Sequence, residues 1–286
     1  MEICLVCRKK QRFIFSYQNF LYYRCGNCQL VSTYPLPTTK TIKNYYENKF
    51  KKENYELSNK YSKRHKLVYT KYVKILKARL RDKNQMLEGK KVLDVGCFTG
   101  EFLETLQKEN ADVYGLELQD TAARIANNKL PGKVLKKDVM NYNFPQKKYD
   151  VITLLGVVEH VANPMKLLRK SFQLLKKGGT LMIQTPNSSS FLARTMGKSW
   201  PPYSPIEHIH IFSRKSLNHA LKKCGFQSIS FKADWKKLPV WYVYNNFNYF
   251  GPQFHRILKP LHILLNKSRI VLPFYIGEMI VTATKK

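Results

Sequence analysis

The sequence predicts an α/β fold: a mostly parallel sheet with helices on both faces, preceded by a small cysteine-rich module. Two observations support this: strand-like and helix-like stretches alternate between residues 91 and 235, and four of the six cysteines lie within the first 28 residues. A chain of 286 residues is long enough for one large domain and a small module. We divide it into a module at 1–38, a helical covering segment at 39–90 and a main domain at 91–286, with an aromatic and basic insertion at 236–275.

The composition is that of a globular protein with an unusual charge. The chain has 50 Lys and Arg against 19 Asp and Glu, a formal net charge of +31. Such a surplus favours an anionic partner, either RNA, an acidic lipid surface or a phosphorylated substrate; the alternative is a merely solvated basic surface. No apolar run reaches the roughly 18 residues of a membrane span, and no signal-peptide pattern opens the chain. We therefore expect a cytoplasmic protein, with peripheral contact to the anionic inner face of the membrane as an extension of that expectation. No oligomeric state is predicted.

The cysteine spacing predicts a structural zinc site. Two C-x2-C pairs, Cys4 with Cys7 and Cys25 with Cys28, can each point two thiolates at one ion and together close a tetrahedral site. A stretch this short cannot bury a core, so the metal supplies much of its folding energy. Free thiols or two disulfides are the alternatives. Four protein ligands leave no open position, so we expect one structural zinc per chain.

The covering segment follows a connector, "YPLPTTKTI", and is helical in tendency from about residue 40 to 90. Within it, "KLVYTKYVKILKARL" has helical periodicity, which predicts docking on the main domain. Contact with RNA or lipid is the alternative use of this basic helix. The apolar face comprises Leu67, Val68, Tyr72, Val73, Ile75, Leu76 and Leu80.

The main domain alternates strand-like and helix-like stretches, which predicts a parallel sheet whose ligands lie beyond the carboxyl ends of its strands. The predicted strands are "KKVLDVG", "DVYGLEL", "YDVITLLGVV" and "TLMIQTPN". The predicted helices are "EFLETLQKEN", "TAARIANNKL" and "PMKLLRKSFQLLKKGG".

The loop in "VLDVGCFTGEFL" is glycine-rich but fits neither common phosphate-binding pattern. A dinucleotide fingerprint would need glycines at Phe98 and Glu101, and the Walker pattern is absent. The pattern that remains is Asp94, Gly96 and Gly100, with a second acid, Glu117, ending the next strand. Because a positive φ is costly for phenylalanine, we expect Phe98 to avoid it and to turn its side chain into a neighbouring groove.

This acid–glycine pattern resembles motif I of class I S-adenosylmethionine-dependent methyltransferases, over roughly residues 90–235. The resemblance implies a Rossmann-like, seven-stranded sheet and S-adenosyl-L-methionine as methyl donor. It implies that the loop of Gly96 and Gly100, which follows Asp94, passes under the methionine portion of the donor. It further implies that Glu117 accepts hydrogen bonds from both ribose hydroxyls, a task suited to an acceptor-only carboxylate.

Other donor contacts are implied by the same resemblance. In "KKDVM", Asp138 would take the adenine amino group, with Val139 beside the ring. In "LLGVVEHVANP", Leu155 and Gly156 would line the pocket floor. In "NYYEN", Tyr46 and its neighbour Tyr45 would cap the donor.

The acceptor side is predicted in "SWPPYSPIEHIHIFSRKSLNHALKKCGF". Its EH-x-x-x-FS-x-x-SL pattern resembles a subfamily that includes ubiquinone-pathway O-methyltransferases. The cysteine module and the Glu-His pair are also similar to those of sugar C-methyltransferases of deoxysugar pathways. That similarity implies His208 as general base, oriented by Glu207, with His210 as its rival; histidine suits proton removal near neutral pH.

Four further residues have side chains suited to metal binding or reactivity. Glu159 and His160 could join His208 or His210 in a divalent-metal site, as in small-RNA 2′-O-methyltransferases, although Gly156 stands where those enzymes carry another glutamate. We favour a helix-start acid and a packed histidine. Cys97 and Cys224 are interpreted as small buried hydrophobes.

The C-terminal part is predicted to contain two antiparallel strands, "QSISFKADW" and "GEMIVTATKK", with an insertion between them. The insertion is rich in aromatics, leucines and bases, which favours an interfacial membrane element. Extra core packing and a dimer contact are the alternatives.

These observations favour a methyltransferase for a small-molecule or glycan acceptor, carried on a lipid or a nucleotide. The first alternative is an RNA methyltransferase whose zinc module and basic helices bind phosphates. Against it, the module lacks an arginine stripe and no RNA-reading aromatic motif is evident. The second alternative is a non-catalytic binding protein on the same scaffold.

Overall fold

The computed structural model describes residues 2–38, 41–42, 44–45, 58–144, 148–240 and 270–286. The strands are β1 Gln11–Tyr17, β2 Phe20–Cys25, β3 Val31–Tyr34, β4 Lys91–Val95, β5 Asp112–Leu116, β6 Val134–Leu135, β7 Tyr149–Leu155, β8 Leu175–Pro186, β9 His210–Ile211, β10 Phe226–Pro239 and β11 Val271–Lys285. The helices are α1 Ser58–Arg81, α2 Glu101–Gln107, α3 Asp120–Lys129, α4 Pro164–Leu174, α5 Phe191–Met196 and α6 Arg214–Lys223, with a 3₁₀ turn at Gly197–Ser199.

A seven-stranded sheet forms the main domain, in the order β10-β11-β8-β7-β4-β5-β6. Strands β4 to β8 pair in parallel, whereas β11 runs antiparallel to β8 and β10 antiparallel to β11. The predicted α/β sheet is confirmed. The strand order reverses between β4 and β7, and ligands of such sheets bind in the crevice at that point, beyond the carboxyl ends.

One predicted helix ends early because its last residues pair with a neighbouring strand. The helix expected through Gly179 stops at Leu174, and β8 begins at Leu175, which pairs with Tyr149 of β7. Gly178 has a φ of 77°, which lets the chain turn within this extended segment.

The two C-terminal strands are longer than the stretches predicted for them. Strand β10 reaches Pro239 and β11 begins at Val271, so both ends of the predicted insertion belong to the paired strands. The remainder, residues 241–269, lies outside the described residues.

Helix α1 docks on the main domain, as predicted. Four of its predicted apolar residues are buried, at Tyr72, Val73, Leu76 and Leu80, whereas Leu67 is 58% exposed and does not belong to the buried face. The Tyr72 hydroxyl donates to the buried carboxylate of Asp234 on β10 at 2.6 Å, which ties the helix to the sheet edge.

The N-terminal module shares a second sheet with the main domain. Its order is β1-β2-β3-β9, so β9, which follows α5 in the chain, completes the sheet of the module. Apolar side chains bury the contact further, with Leu30 of the module and Phe212 and Leu217 of the main domain in one cluster. Among the helices in the described part of the chain, none has both the length and the apolar character needed to cross a bilayer.

Candidate active site

The glycine loop after β4 is folded back onto the end of β5. The backbone N–H groups of Gly96 and Cys97 both donate to the Leu116 carbonyl, at 2.7 and 3.1 Å. Gly96 has a φ of 72°, and a Cβ there would lie 2.8 Å from Cγ2 of Val157. Gly100, with a φ of 84°, is the N-cap of α2. Both predicted glycines therefore occupy positions that a side chain would strain.

The expectation for Phe98 is wrong: its φ is 51°, in the left-handed region. The cause is the tight loop, which points the Phe98 N–H at the Glu117 carboxylate, 2.9 Å away. A left-handed L-residue costs about 1–2 kcal/mol. A hydrogen bond to a charged group contributes a comparable amount, so this bond offsets the strain.

Glu117 joins the loop to the start of α3. Besides the Phe98 N–H, its carboxylate accepts the N–H groups of Leu118 and Gln119, both at 2.8 Å. The side chain is half-buried at the carboxyl end of β5. The loop and the acid thus form one cradle at the strand-order reversal.

Asp94 lies beneath this cradle. Its buried carboxylate accepts the Thr153 hydroxyl at 2.5 Å, which links β4 to β7. Burial raises the pKa of Asp94 to about 7, although the Thr153 hydroxyl opposes this. The direct contact described for this carboxylate is structural, so its predicted contact with the donor stays a prediction.

Of the other predicted donor residues, four are described: Asp138 and Val139 follow β6, and Leu155 and Gly156 lie at the end of β7. The Asp138 carboxylate caps a turn, accepting the Met140 N–H at 2.9 Å, and Val139 beside it is buried. Leu155 is the last residue of β7, and the N–H of Gly156, which follows it, donates to the Gln184 carbonyl at 2.9 Å. Tyr46 lies outside the described residues.

Two histidines meet beyond the carboxyl end of β7. His208 Nδ1 donates to the Pro202 carbonyl at 2.7 Å, and His160 Nδ1 donates to the backbone carbonyl of Glu207 at 2.6 Å. The ring centroids are 4.9 Å apart. Because a carbonyl only accepts, each Nδ1 carries hydrogen and each Nε2 is the basic nitrogen of the neutral ring.

This geometry adds an orienting contact for each histidine and changes one sequence-based interpretation. The Pro202 carbonyl orients His208, and the backbone oxygen of Glu207 orients His160. The orientation of His208 by Glu207 stays a prediction. His160, interpreted as a packed histidine, stands beside His208 in the same arrangement. The sequence signal for it was its position just beyond the carboxyl end of β7.

Glu159 lies in a turn and not at a helix start, since α4 begins only at Pro164. Its carboxylate is buried, accepts the Thr185 hydroxyl at 2.9 Å and lies 3.9 Å from His160 Nε2. Burial raises the pKa of Glu159 to about 8.

His210 is placed as a structural residue. It is fully buried, with Nδ1 3.0 Å from the Ser32 hydroxyl and Nε2 3.2 Å from the Ala162 carbonyl. Burial lowers the pKa of His210 to about 4, which keeps the ring neutral. Both ring nitrogens are engaged, so His210 does not offer a base to an acceptor.

Metal binding is chemically feasible at two clusters of the described residues. One ligand atom each from Glu159, His160 and His208 lie within 4.8 Å of one another. Nδ1 donation to a carbonyl is the usual support of a metal-binding histidine, so this cluster could hold a divalent cation or act as a proton acceptor.

The second cluster is formed by the four cysteines of the module, whose Sγ atoms all lie within 4.8 Å. Cys4 and Cys28 approach to 3.5 Å and Cys7 and Cys25 to 3.3 Å, and all four are free thiols. A tetrahedron with Zn–S bonds of about 2.3 Å has edges of about 3.8 Å, so the donor set fits zinc. Elsewhere, Cys97 and Cys224 are buried, as expected.

The polar group at the end of β8 is not predictable from the sequence. Gln184 Nε2 donates to Glu278 Oε2 on β11 at 2.7 Å, and Lys236 of β10 forms an ion pair with the same carboxylate. Gln184 Oε1 would be 3.9 Å from a Cβ at Gly156. This group therefore borders the predicted pocket floor, and only the pairing of distant strands brings it there.

A family model described as "Methyltransferase domain" matches residues 65–230, which include the glycine loop, Glu117 and both histidines. The chain belongs to the methyltransferase domain family. This membership, together with the sheet order, confirms the predicted class I methyltransferase fold.

Sequence relatives of this methyltransferase domain include ubiquinone biosynthesis O-methyltransferases. The protein from Coxiella burnetii (strain RSA 493 / Nine Mile phase I) is 32% identical over 106 residues, 35% of this chain and 45% of the relative. The protein from Escherichia coli O139:H28 is 32% identical over 120 residues, 40% of this chain and 47% of the relative. The matches thus span about half the length of these relatives.

Solved methyltransferase structures share the fold. An S-adenosylmethionine-dependent methyltransferase from Thermotoga maritima superposes with a TM-score of 0.54 at 20% identity, covering 86% of this chain and 98% of that one. Magnesium protoporphyrin IX methyltransferase from Synechocystis PCC 6803, with bound S-adenosylhomocysteine, has a TM-score of 0.51 at 16% identity, covering 77% and 84%.

Proposed function

We propose that this protein transfers a methyl group from S-adenosylmethionine to a hydroxyl of a small-molecule acceptor. The hydrogen bond from Phe98 N–H to Glu117 carries the proposal, because it makes the glycine loop and the acid into one cradle. That cradle lies at the strand-order reversal of a methyltransferase domain, where ligands of such sheets bind.

On the donor side, each residue has a simple task. The loop between Gly96 and Gly100 lets the methionine portion approach the backbone, and Glu117 accepts the ribose hydroxyls. Asp138 takes the adenine amino group, Val139 lies beside the ring, and Leu155 lines the pocket floor.

On the acceptor side, the bound donor supplies an activated methyl on a sulfonium. The acceptor oxygen attacks the methyl carbon in line, a C–O bond forms, and the C–S bond breaks with its electron pair on sulfur. His208 Nε2 receives the hydroxyl proton, with Nδ1 held by the Pro202 carbonyl. His160, held in the same way, is the second candidate for this proton.

The finer acceptor class in this proposal is a glycan or a related small molecule carried on a lipid or a nucleotide. The charge of +31 and the aromatic, basic stretch at 241–269 support contact with an anionic carrier at a membrane surface. RNA is the competing anionic partner.

The cofactor part of the proposal includes one structural zinc on Cys4, Cys7, Cys25 and Cys28. The fit of the four Sγ atoms to a tetrahedral site supports it. Metal analysis of purified protein is expected to find one zinc per chain, and a well-folded protein with substoichiometric zinc would contradict it.

The donor assignment is tested by calorimetric titration of S-adenosylmethionine and S-adenosylhomocysteine into the zinc-loaded protein. We expect wild type to bind both, and Glu117→Ala to lose binding by at least tenfold, since two charged hydrogen bonds to the ribose disappear. Glu88→Ala, at an exposed acid outside the cradle, is the control and is expected to bind as wild type. A wild-type protein that binds neither ligand overturns the proposal and favours a non-catalytic binding protein.

A further inference from the structure

A continuous chain of hydrogen-bonded polar side chains connects the cysteine module to the main domain. The Tyr34 hydroxyl donates to Gln11 Oε1 at 3.0 Å, and Gln11 Nε2 donates to the Ser32 hydroxyl at 3.3 Å. Ser32 is 3.0 Å from His210 Nδ1, and His210 Nε2 is 3.2 Å from the Ala162 carbonyl. The path therefore ends on the turn that follows His160.

Only one assignment of hydrogen-bond donors and acceptors satisfies every group along this path. The Ala162 carbonyl accepts, so His210 Nε2 carries the hydrogen and Nδ1 accepts from Ser32. Ser32 in turn accepts from Gln11. All three side chains are buried, with exposures of 2% for Gln11, 1% for Ser32 and 0% for His210. A satisfied buried network of this kind fixes one arrangement, because any break leaves a polar group unpaired.

Backbone contacts run alongside this side-chain path. Strand β3 pairs with β9, and the Thr33 N–H donates to the Ile209 carbonyl at 3.0 Å. The N–H groups of Ile209 and His210 both donate to the Glu159 carbonyl, at 2.9 and 3.1 Å. The segment that carries His208 is thus held between the module on one side and the turn that carries His160 on the other.

The cysteine knuckles are tied to the same region. The Ser213 hydroxyl donates to the Cys28 carbonyl at 3.2 Å, and Lys223 Nζ donates to the Val6 carbonyl at 3.0 Å. Both donors belong to the start and end of α6, which follows β9 directly. A change in the cysteine cluster therefore reaches the acceptor-side segment through two short contacts, one buried and one partly buried.

We propose that the cysteine module is an internal positioning element for the two acceptor-side histidines, with Ser32 and His210 as the positioning residues. The module sets the Nδ1–H orientation of His160 and His208, and the donor cradle is independent of it. The inference rests on the proposed function only in assigning these histidines to the acceptor.

Hydrogen exchange on the full-length, zinc-loaded protein tests this coupling. In Ser32→Ala, we expect exchange to rise roughly five- to tenfold in peptides covering 157–163 and 207–212, as for loss of one buried hydrogen-bond partner. Peptides covering β4 and β5 are expected to be unchanged. Ser16→Ala, at an exposed serine on β1, is the matched control. A rise confined to residues 2–34, or equal throughout the chain, overturns the proposal.

A spectroscopic readout separates positioning from mere stability. Nitrogen-15 spectra of the histidine rings should show Nδ1–H tautomers for His160 and His208 in wild type and mixed tautomers in Ser32→Ala. Ser32→Thr, which keeps the hydroxyl, is expected to restore the wild-type pattern. Unchanged tautomers in Ser32→Ala overturn the proposal. S-adenosylhomocysteine affinity, measured in parallel, should match wild type in Ser32→Ala; failure of wild type to bind it would refute the proposed function and leave the exchange and tautomer results to decide the coupling.

Discussion

At the residue level, the donor cradle depends on the space that Gly96 leaves for Val157. Gly96→Ala places a Cβ 2.8 Å from Val157 Cγ2 at a φ of 72°, so the loop must shift. We expect this variant to lose donor binding at least tenfold, because the displaced loop moves the Phe98 N–H away from Glu117. Calorimetry with S-adenosylhomocysteine measures the effect.

A second glycine separates steric clash from backbone strain. Gly89 has a similar φ of 67°, and a Cβ there would meet no atom within 4 Å. Gly89→Ala is therefore expected to cost about 1 kcal/mol of stability and to leave donor affinity unchanged. Equal losses of affinity in the two variants would show that strain alone, without the contact to Val157, governs the loop.

Glu159 gives the stability of the protein a distinct pH dependence. Burial raises its pKa from 4.5 to about 8, so the unfolded chain releases the proton first as pH rises. The contribution of protonated Glu159 to the free energy of unfolding is fully present below about pH 4.5. It is lost progressively as the pH rises from there through about 8. Glu159→Gln removes this loss and keeps an acceptor for the Thr185 hydroxyl.

The expected result is a difference that grows with pH. The free energy of unfolding of Glu159→Gln, minus that of wild type, should increase between pH 5 and 8 by up to about 1.4 kcal/mol per unit. Chemical denaturation of both proteins at pH 5, 6.5 and 8 measures it. Both proteins have the same groups facing residue 159, namely Thr185, His160, His208, Glu278 and Lys236. A difference in free energy of unfolding that stays constant with pH would therefore contradict the raised pKa of Glu159.

The residues that could be predicted from the sequence are those whose spacing is local. Gly96, Gly100 and the cysteine knuckles each depend on a few adjacent residues, so their pattern survives in the sequence. Gln184 and Glu278 are 94 residues apart in the sequence, and their hydrogen bond forms only because β8 pairs with β11. The conformation of Phe98 was predicted wrongly for a related reason. Its left-handed backbone is stabilised by a hydrogen bond to Glu117, which a rule based on neighbouring residues does not take into account.

At the level of elements, helix α6 connects the main domain to the cysteine module through its N-cap. Ser213 forms a capping box with Ser216, and its hydroxyl also reaches the Cys28 carbonyl. Ser213→Ala is expected to lower stability by about 1–2 kcal/mol and to speed zinc loss to a chelator, because the Cys28 knuckle loses a buried contact. Denaturation and chelator competition measure the two effects.

The N-cap of α5 supplies the matched control. Ser190 accepts the Ala193 N–H at 3.1 Å, and the structure gives it no cysteine carbonyl as partner among the described hydrogen bonds. Ser190→Ala is expected to lower stability by about 1 kcal/mol without changing zinc loss. If both variants released zinc equally fast, the effect would be one of overall stability.

Element types were more predictable than element ends. The alternation of strands and helices in the main domain follows from periodicity, which each segment carries by itself. The end of α4 at Leu174 and the reach of β10 to Pro239 follow from pairing with distant strands. The addition of β9 to the sheet of the module likewise depends on tertiary pairing, and a strand of two residues has no recognisable sequence pattern.

At the level of the whole molecule, the excess of basic over acidic residues is reinforced because acidic side chains are already paired with lysines. Several of them already pair with lysines in the described part of the chain, such as Asp112 with Lys133 and Glu109 with Lys77. The excess of bases over acids leaves many cations for an external partner. A surface of this kind raises the local concentration of anionic ligands.

The stretch at 241–269 is the part of the chain best suited to test a membrane partner. It contains four Lys and Arg residues and seven aromatic ones. Its flanks are adjacent, since the Val240 N–H donates to the Ile270 carbonyl at 2.9 Å. Replacing 241–269 by Asn-Gly therefore closes β10 and β11 with a two-residue hairpin turn and keeps both strands intact.

Flotation with vesicles of phosphatidylcholine and phosphatidylglycerol compares the full chain with this replacement. Each base near an anionic surface contributes about 1 kcal/mol, so loss of four bases and the aromatics should reduce flotation at least tenfold. Vesicles of phosphatidylcholine alone should bind both proteins weakly. S-adenosylhomocysteine affinity should be equal in the two, which confirms that the fold survives. Equal flotation of the two proteins would contradict the membrane role of this stretch, and the charge surplus would then be tested with RNA over a range of salt concentrations.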